Sequence, residues 1–122
     1  MDETQAFFNK SKKKLLSARS SYDLEDYSSV VSLSYYSMYL MAKTLLILKG
    51  YRPKTHRGLI TQFKQIYVDN CGFNYNIYKH LARAQSLRES ADYDAFDGIT
   101  KNIAYKCINQ AEEFINESKR FL

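Results

Sequence analysis

Apolar positions in this chain recur in steps of three and four, and no stretch alternates apolar with polar residues over the length of a strand. Such spacing lines apolar side chains along one side of a helix. The longest run, LEDYSSVVSLSYYSMYLMAKTLLILK, predicts a helix from about Leu24 to Lys49. Its seam of larger side chains is Leu24, Tyr27, Val31, Tyr35, Met38, Ala42 and Leu45. A second apolar set, Val30, Leu33, Leu40, Ile47 and Leu48, falls away from that seam. A helix apolar on most of its girth is buried on most of its girth. Ser28, Ser29, Ser32, Ser34 and Ser37 are small enough to let another helix come close. The pattern predicts a central helix with bundle partners on one side and a second subunit on the other. A membrane span is the rival reading, since residues 30–48 carry a single charge, Lys43, and approach spanning length. The serines and tyrosines within that stretch lower its hydrophobicity, and no anchor pattern flanks it, so no membrane is expected.

The rest of the chain supplies partners for that helix. A first helix is predicted over residues 3–20, capped by Asp2 or Thr4, with Phe7, Phe8, Leu15, Leu16 and Ala18 on its apolar side. Ser20 to Asp23 read as a break, with Asp23 as the cap of the central helix. Gly50 ends the central helix and Pro53 discourages its return. A third helix starts at Thr55 or His56 and runs to Val68, and Asp69, Asn70 and Gly72 make the next turn. A fourth spans residues 74–90, ESADYDAFDG reads as a polar loop, and a last helix spans residues 95–121. The prediction is one all-α domain over residues 1–122, an up-and-down bundle of about five helices with a long central one.

Composition changes this picture little. One proline and four glycines in 122 residues leave room for few turns, which fits long helices. Eleven tyrosines supply apolar area whose hydroxyls need partners, as at helix–helix or subunit contacts. The net charge of +5 permits a nucleic acid partner without demanding one. Lys10, Lys12, Lys13, Lys14 and Arg19 gather on the first helix, as a solvated face or as phosphate contacts. Cys71 and Cys107 lack metal or redox spacing and no signal sequence leads the chain, so they read as reduced thiols in a cytoplasmic protein. No metal site is expected from two Cys and two His scattered through the chain.

Three stretches taken in order carry a family resemblance: YSSVVSLSYYSMYLMAKTLLILKG, RPKTHRGLI, and LRESADYD followed by a last amphipathic helix. The Tyr35–Tyr36 pair, the Lys54-Thr55-His56 step, and Arg88 followed by Ala91, Asp92 and Tyr93 resemble the HEPN domain in its small single-domain branch. The resemblance covers about residues 4–121. It implies a helical bundle that dimerises through its long helices. It also implies a minimal nucleotidyltransferase as partner in a toxin–antitoxin pair, no cofactor, and metal-independent RNA cleavage. Active members of the family carry an Arg, four to six residues, then a His. Here Tyr93 stands where that His would be, and Asp94 and Ala95 fill the longer spacings. A phenol with an ordinary pKa of about 10 is a poor general base at neutral pH. Whether the chain is an enzyme therefore stays open. A nucleotide- or RNA-binding module without catalysis and a structural adaptor are the alternatives.

The candidate catalytic residues are Arg88, Asp92 and Tyr93. Arg88 can hold a phosphate with its planar fork or pair with Asp92, Asp94 or Glu89. Asp92 and Tyr93 are expected in a loop, where sites often lie. The candidate binding residues are His56, Lys54 and Arg57, at a helix start suited to an anion, and His80. His80 precedes Arg88 by two turns at an offset of about 80°, so the two could border one cleft. Tyr35 and Tyr36 read as packing residues facing different sides of the central helix.

Overall fold

The computed structural model describes residues 2–122, and every regular element among them is helical. Helix α1 is Glu3–Asp23 and α2 is Tyr27–Leu48. Helix α3 is His56–Phe63 and continues through a π-helical stretch, Lys64–Val68, into a single turn, Asp69–Cys71. Helix α4 is Tyr75–Tyr93, and α5 is Lys101–Ser118, closed by a 3-10 turn, Lys119–Phe121. Each helix begins where a short polar side chain accepts a hydrogen bond from a backbone N–H three residues on. Asp2, Asp26, Thr55, Asn74 and Thr100 do this in turn.

The expected all-α bundle around a central helix is what forms. Helix α2 touches all four other helices and is its axis. Val30, Val31, Tyr35, Met38, Met41, Leu45 and Leu46 are buried along it. The serines do bring α1 close. Ser11 Oγ donates to the Ser37 carbonyl at 2.7 Å, and Ser37 Oγ donates back to the Ser11 carbonyl at 3.0 Å. Two buried hydroxyls thus satisfy each other's backbones with no side chain wedged between the helices. By length and composition α2 could cross a membrane, but 67% of its most apolar 18-residue window is buried inside the protein. That is where a bundle's core helix sits.

Several boundaries differ from the sequence-based expectation, among them that of the third helical segment, which runs through Asp69 and Asn70, expected in a turn, to Cys71. Helix α1 runs on to Asp23, so α2 starts at Tyr27 and its cap is Asp26 instead of Asp23. Glu25 makes the corner in the left-handed region at φ 61°, and Leu24, expected in the α2 seam, is left exposed in the connection. Helix α4 extends past Ser90 to Tyr93, so Asp92 and Tyr93 are helical and not in a loop. Helix α5 starts at Lys101 and not near Ala95, because Thr100 is the residue that caps it. The end of α2 is as expected, with Gly50 at φ 84°, a conformation that a β-carbon disfavours.

At one end of the bundle the core is aromatic. Phe63 stacks on Tyr67 with centroids 5.1 Å apart and meets Phe73 and Phe114 at 4.9 and 5.7 Å. Tyr67 is brought inward by the π-helical stretch, and its hydroxyl donates to the Leu45 carbonyl. Both cysteines carry free thiols; Cys107 is buried, and burial pushes its thiol up to about 11.

Candidate functional site

Three helices meet at a second aromatic cluster, near the middle of α2. Tyr35 and Tyr39 stand one turn apart on α2, with Tyr36 between them. From the start of α3, His56 enters this group because Thr55 caps the helix just before it. The imidazole stacks on Tyr39, with centroids 4.2 Å apart and planes at 18°. Tyr35 is also stacked on it at 5.8 Å, and Tyr36 meets it edge-on at 5.9 Å. The Tyr35 hydroxyl lies 2.6 Å from His56 Nδ1. Tyr35 is wholly buried, and burial pushes its phenol far above the ordinary value, so it stays protonated. Burial likewise raises Tyr39.

Helix α4 adds a fixed positive charge. The Arg88 guanidinium carbon sits 5.2 Å from the Tyr35 ring centre and 5.6 Å from that of Tyr36. The negative face of an aromatic ring attracts such a cation, more strongly where water is excluded. Arg88 Nη1 donates to Asp92 at 3.1 Å, one turn on, and Nη2 donates to Gln85 Oε1 at 3.3 Å, one turn back. Ser32 Oγ on α2 donates to Asp92 at 2.5 Å and holds that carboxylate in place. The Arg88 side chain is only 11% exposed, and its buried Nε has no hydrogen-bond partner in the protein.

The cluster has an electrostatic consequence. Burial, then the Arg88 charge, then that of Lys43, hold His56 below the usual imidazole range. At neutral pH it is an uncharged ring beside a permanent cation. An open groove adjoins the cluster, with Tyr36, Asp92, Ser32 and Lys14 among its walls. Chemically, the arrangement offers a guanidinium for an anion, a neutral imidazole and several phenols within one turn of helix.

The structure unites some of the residues expected from sequence and separates others. Arg88, Asp92 and His56 share the cluster. Asp92 is the ion-pair partner of Arg88 on the last turn of α4. Tyr93 ends α4 with 79% of its surface exposed. Lys54 and Arg57 flank His56 but are exposed, and neither forms an ion pair among the described residues. His80 is elsewhere. Eight residues put it about 12 Å up the helix from Arg88, and its Nε2 faces Glu113 on α5 at 2.8 Å. Among the described residues, no three or more His, Cys, Asp or Glu side chains gather as a metal site would need. Tyr35 and Tyr36 do not face different sides: their rings lie 5.2 Å apart and both touch His56 and Arg88. Tyr39 and Gln85 were not among the expected site residues, and Ser32, expected only as a small residue at a helix contact, holds Asp92. The signal for Tyr39 was its four-residue step from Tyr35, which was readable.

Comparison with known proteins agrees with this architecture. The model of the HEPN domain matches residues 4–121. A Methanocaldococcus jannaschii protein named "Putative toxin" is 30% identical over 120 residues, 98% of this chain and 82% of that protein. A second protein of that name and organism is 32% identical over 122 residues, 99% of this chain and 90% of its own. A UPF0332 protein of Archaeoglobus fulgidus is 31% identical over 119 residues, 98% of this chain and 94% of its own.

Proposed function

The chain belongs to the HEPN domain family, and on that premise we propose that it is the RNA-directed toxin of a pair whose other member is a minimal nucleotidyltransferase. In this reading Arg88 binds a backbone phosphate of the RNA and the aromatic cluster shapes the place where the strand is cut. One observation carries it: a nearly buried guanidinium, held by two tyrosine rings, Asp92 and Gln85, whose Nε–H has no partner in the protein. Leaving a buried donor unmatched costs stability, so such a group points to something it is kept for. The names of the Methanocaldococcus relatives support the toxin role. The family resemblance makes the working unit a pair of identical chains.

A second reading has its own observation. Tyr93 occupies the place of the family's histidine and is turned to solvent, which favours a module that binds RNA without cutting it. Induced expression of wild type and Arg88→Ala in bacteria, with growth and total RNA followed together, separates the two. Arrest with cut RNA, relieved by Arg88→Ala, is the expected result. Intact RNA from a folded protein that still binds RNA would leave the binding module. No RNA affinity at any salt concentration would reduce the chain to a helical adaptor. Sedimentation of the purified protein checks the dimer.

A further inference from the structure

We propose that His56, oriented by Tyr35, is the general base of this site, supplying from α3 the imidazole that no residue after Arg88 provides. The proposal rests on the reading of the site as RNA-cleaving. Nδ1 is engaged by the Tyr35 hydroxyl at 2.6 Å, and no protein group among the described residues bonds Nε2. Nε2 is therefore the nitrogen that can meet a substrate. Tyr39 stacked at 4.2 Å and Tyr36 edge-on at 5.9 Å fix the plane of the ring. Arg88 reaches the Tyr35 and Tyr36 rings from α4, the same rings that flank the imidazole.

The charged and titratable groups around His56 are Arg88 from α4, Lys43 from α2, and the phenols of Tyr35, Tyr36 and Tyr39. Together with burial, the two cations keep the ring unprotonated at neutral pH, the state a base requires. When the Tyr35 hydroxyl donates to Nδ1 the proton sits on Nε2; in the reacting tautomer Nδ1–H donates to the Tyr35 oxygen instead and the Nε2 lone pair is free. Nε2 takes the proton of a ribose 2′-hydroxyl. The 2′-oxygen bonds to phosphorus and the bond from phosphorus to the 5′-oxygen breaks. The 5′-oxygen leaves with a proton from water, and the imidazolium returns its own to solvent. The products are a 2′,3′-cyclic phosphate and a 5′-hydroxyl, with no net change in protons or electrons. An anionic phosphate offsets the Arg88 charge as it binds, which eases formation of the imidazolium.

The test uses the purified full chain and an end-labelled, mixed-sequence single-stranded RNA. Cleavage, end chemistry and RNA affinity are measured for wild type, His56→Asn, His56→Phe, Tyr35→Phe and Arg88→Ala, each checked for its helical melt. His56→Phe keeps an aromatic ring in the stack, so the site stays packed in at least one variant. Both His56 variants are expected to lose cleavage roughly 100-fold or more, as removal of a general base does, while still binding RNA. Tyr35→Phe should cleave more slowly, with the acid limb of its rate profile moved to lower pH, because no phenol accepts from the imidazolium. Arg88→Ala should lose affinity as well as rate. A folded His56→Asn that cleaves like wild type would overturn the base assignment and leave the proposed function standing. A folded His56→Asn that no longer binds RNA would make His56 a phosphate ligand and overturn the assignment too. Wild type that binds RNA without cutting it would overturn both.

Discussion

The molecule holds two aromatic clusters built from similar rings and used in opposite ways. One gathers Phe63, Tyr67, Phe73 and Phe114 where α3 and its π-helical extension meet α5. The other gathers Tyr35, Tyr36, Tyr39 and His56 where α2 meets the start of α3. Ring separations are alike in the two. The polar load is not. In the first, the hydroxyl of Tyr67 is satisfied by the Leu45 carbonyl. In the second, a guanidinium lies against the rings, an imidazole is held uncharged, and a buried Nε–H has no partner. Stability alone would favour the first arrangement at both places. The excess of polar groups in the second is what makes it the candidate site.

That contrast can be broken by mutation. The largest expected effect on stability belongs to Phe63→Ala, about 3–5 kcal/mol from lost burial and the cavity left behind. Urea unfolding followed by circular dichroism would measure it. Arg88→Ala should act the other way round. Its loss should lower RNA affinity about 10–100-fold, the usual worth of a charge-assisted hydrogen bond, and leave the urea midpoint nearly where it was. Should Arg88→Ala unfold the chain as Phe63→Ala does, the second cluster is a core with a charge in it and the distinction fails. Tyr67→Phe sharpens the comparison at a smaller scale. It removes one buried hydrogen bond and should cost about 1 kcal/mol, with RNA affinity unchanged.

The helices were legible because their signals are local. The α2 seam, Gly50, Pro53, and the polar caps at Asp2 and Thr55 each lie within a turn or so of what they control. The turn from α1 to α2 was misplaced because two acceptable caps, Asp23 and Asp26, stand three residues apart. The Leu24 N–H continues α1 by bonding the Ser20 carbonyl at 3.1 Å, which decides between them. The site was legible only in part because it joins residues 35, 56 and 88 on three helices. Periodicity gives the face of a helix but not which neighbour that face meets. Tyr36 sits about 100° from Tyr35 around α2, and only the structure shows both rings meeting His56. Likewise, His80 had a suitable angle toward Arg88, but Glu113 on α5 holds it elsewhere.

The smallest effect expected is a bend in stability against pH, and it belongs to the second cluster alone. Unfolded His56 takes a proton near its ordinary value of about 6.5. In the folded chain, burial and the charges of Arg88 and Lys43 postpone that protonation to lower pH. Between those two values the unfolded chain binds more protons, so stability rises with pH through the window. The contribution is complete above about pH 6.5 and is lost as pH falls toward the folded value. The chain holds a second histidine, His80, so the useful quantity is a difference between two proteins. Urea midpoints of wild type and His56→Phe, measured from neutral pH downward, should diverge, with the wild-type curve falling more steeply. Tyr67→Phe removes a phenol that stays protonated throughout this range, since burial pushes it up to about 12, and should lower the whole curve without bending it. Parallel curves for wild type and His56→Phe would mean that His56 titrates as it does in the unfolded chain. The second cluster would then carry no more electrostatic tension than the first, and its polar groups would need another explanation than function.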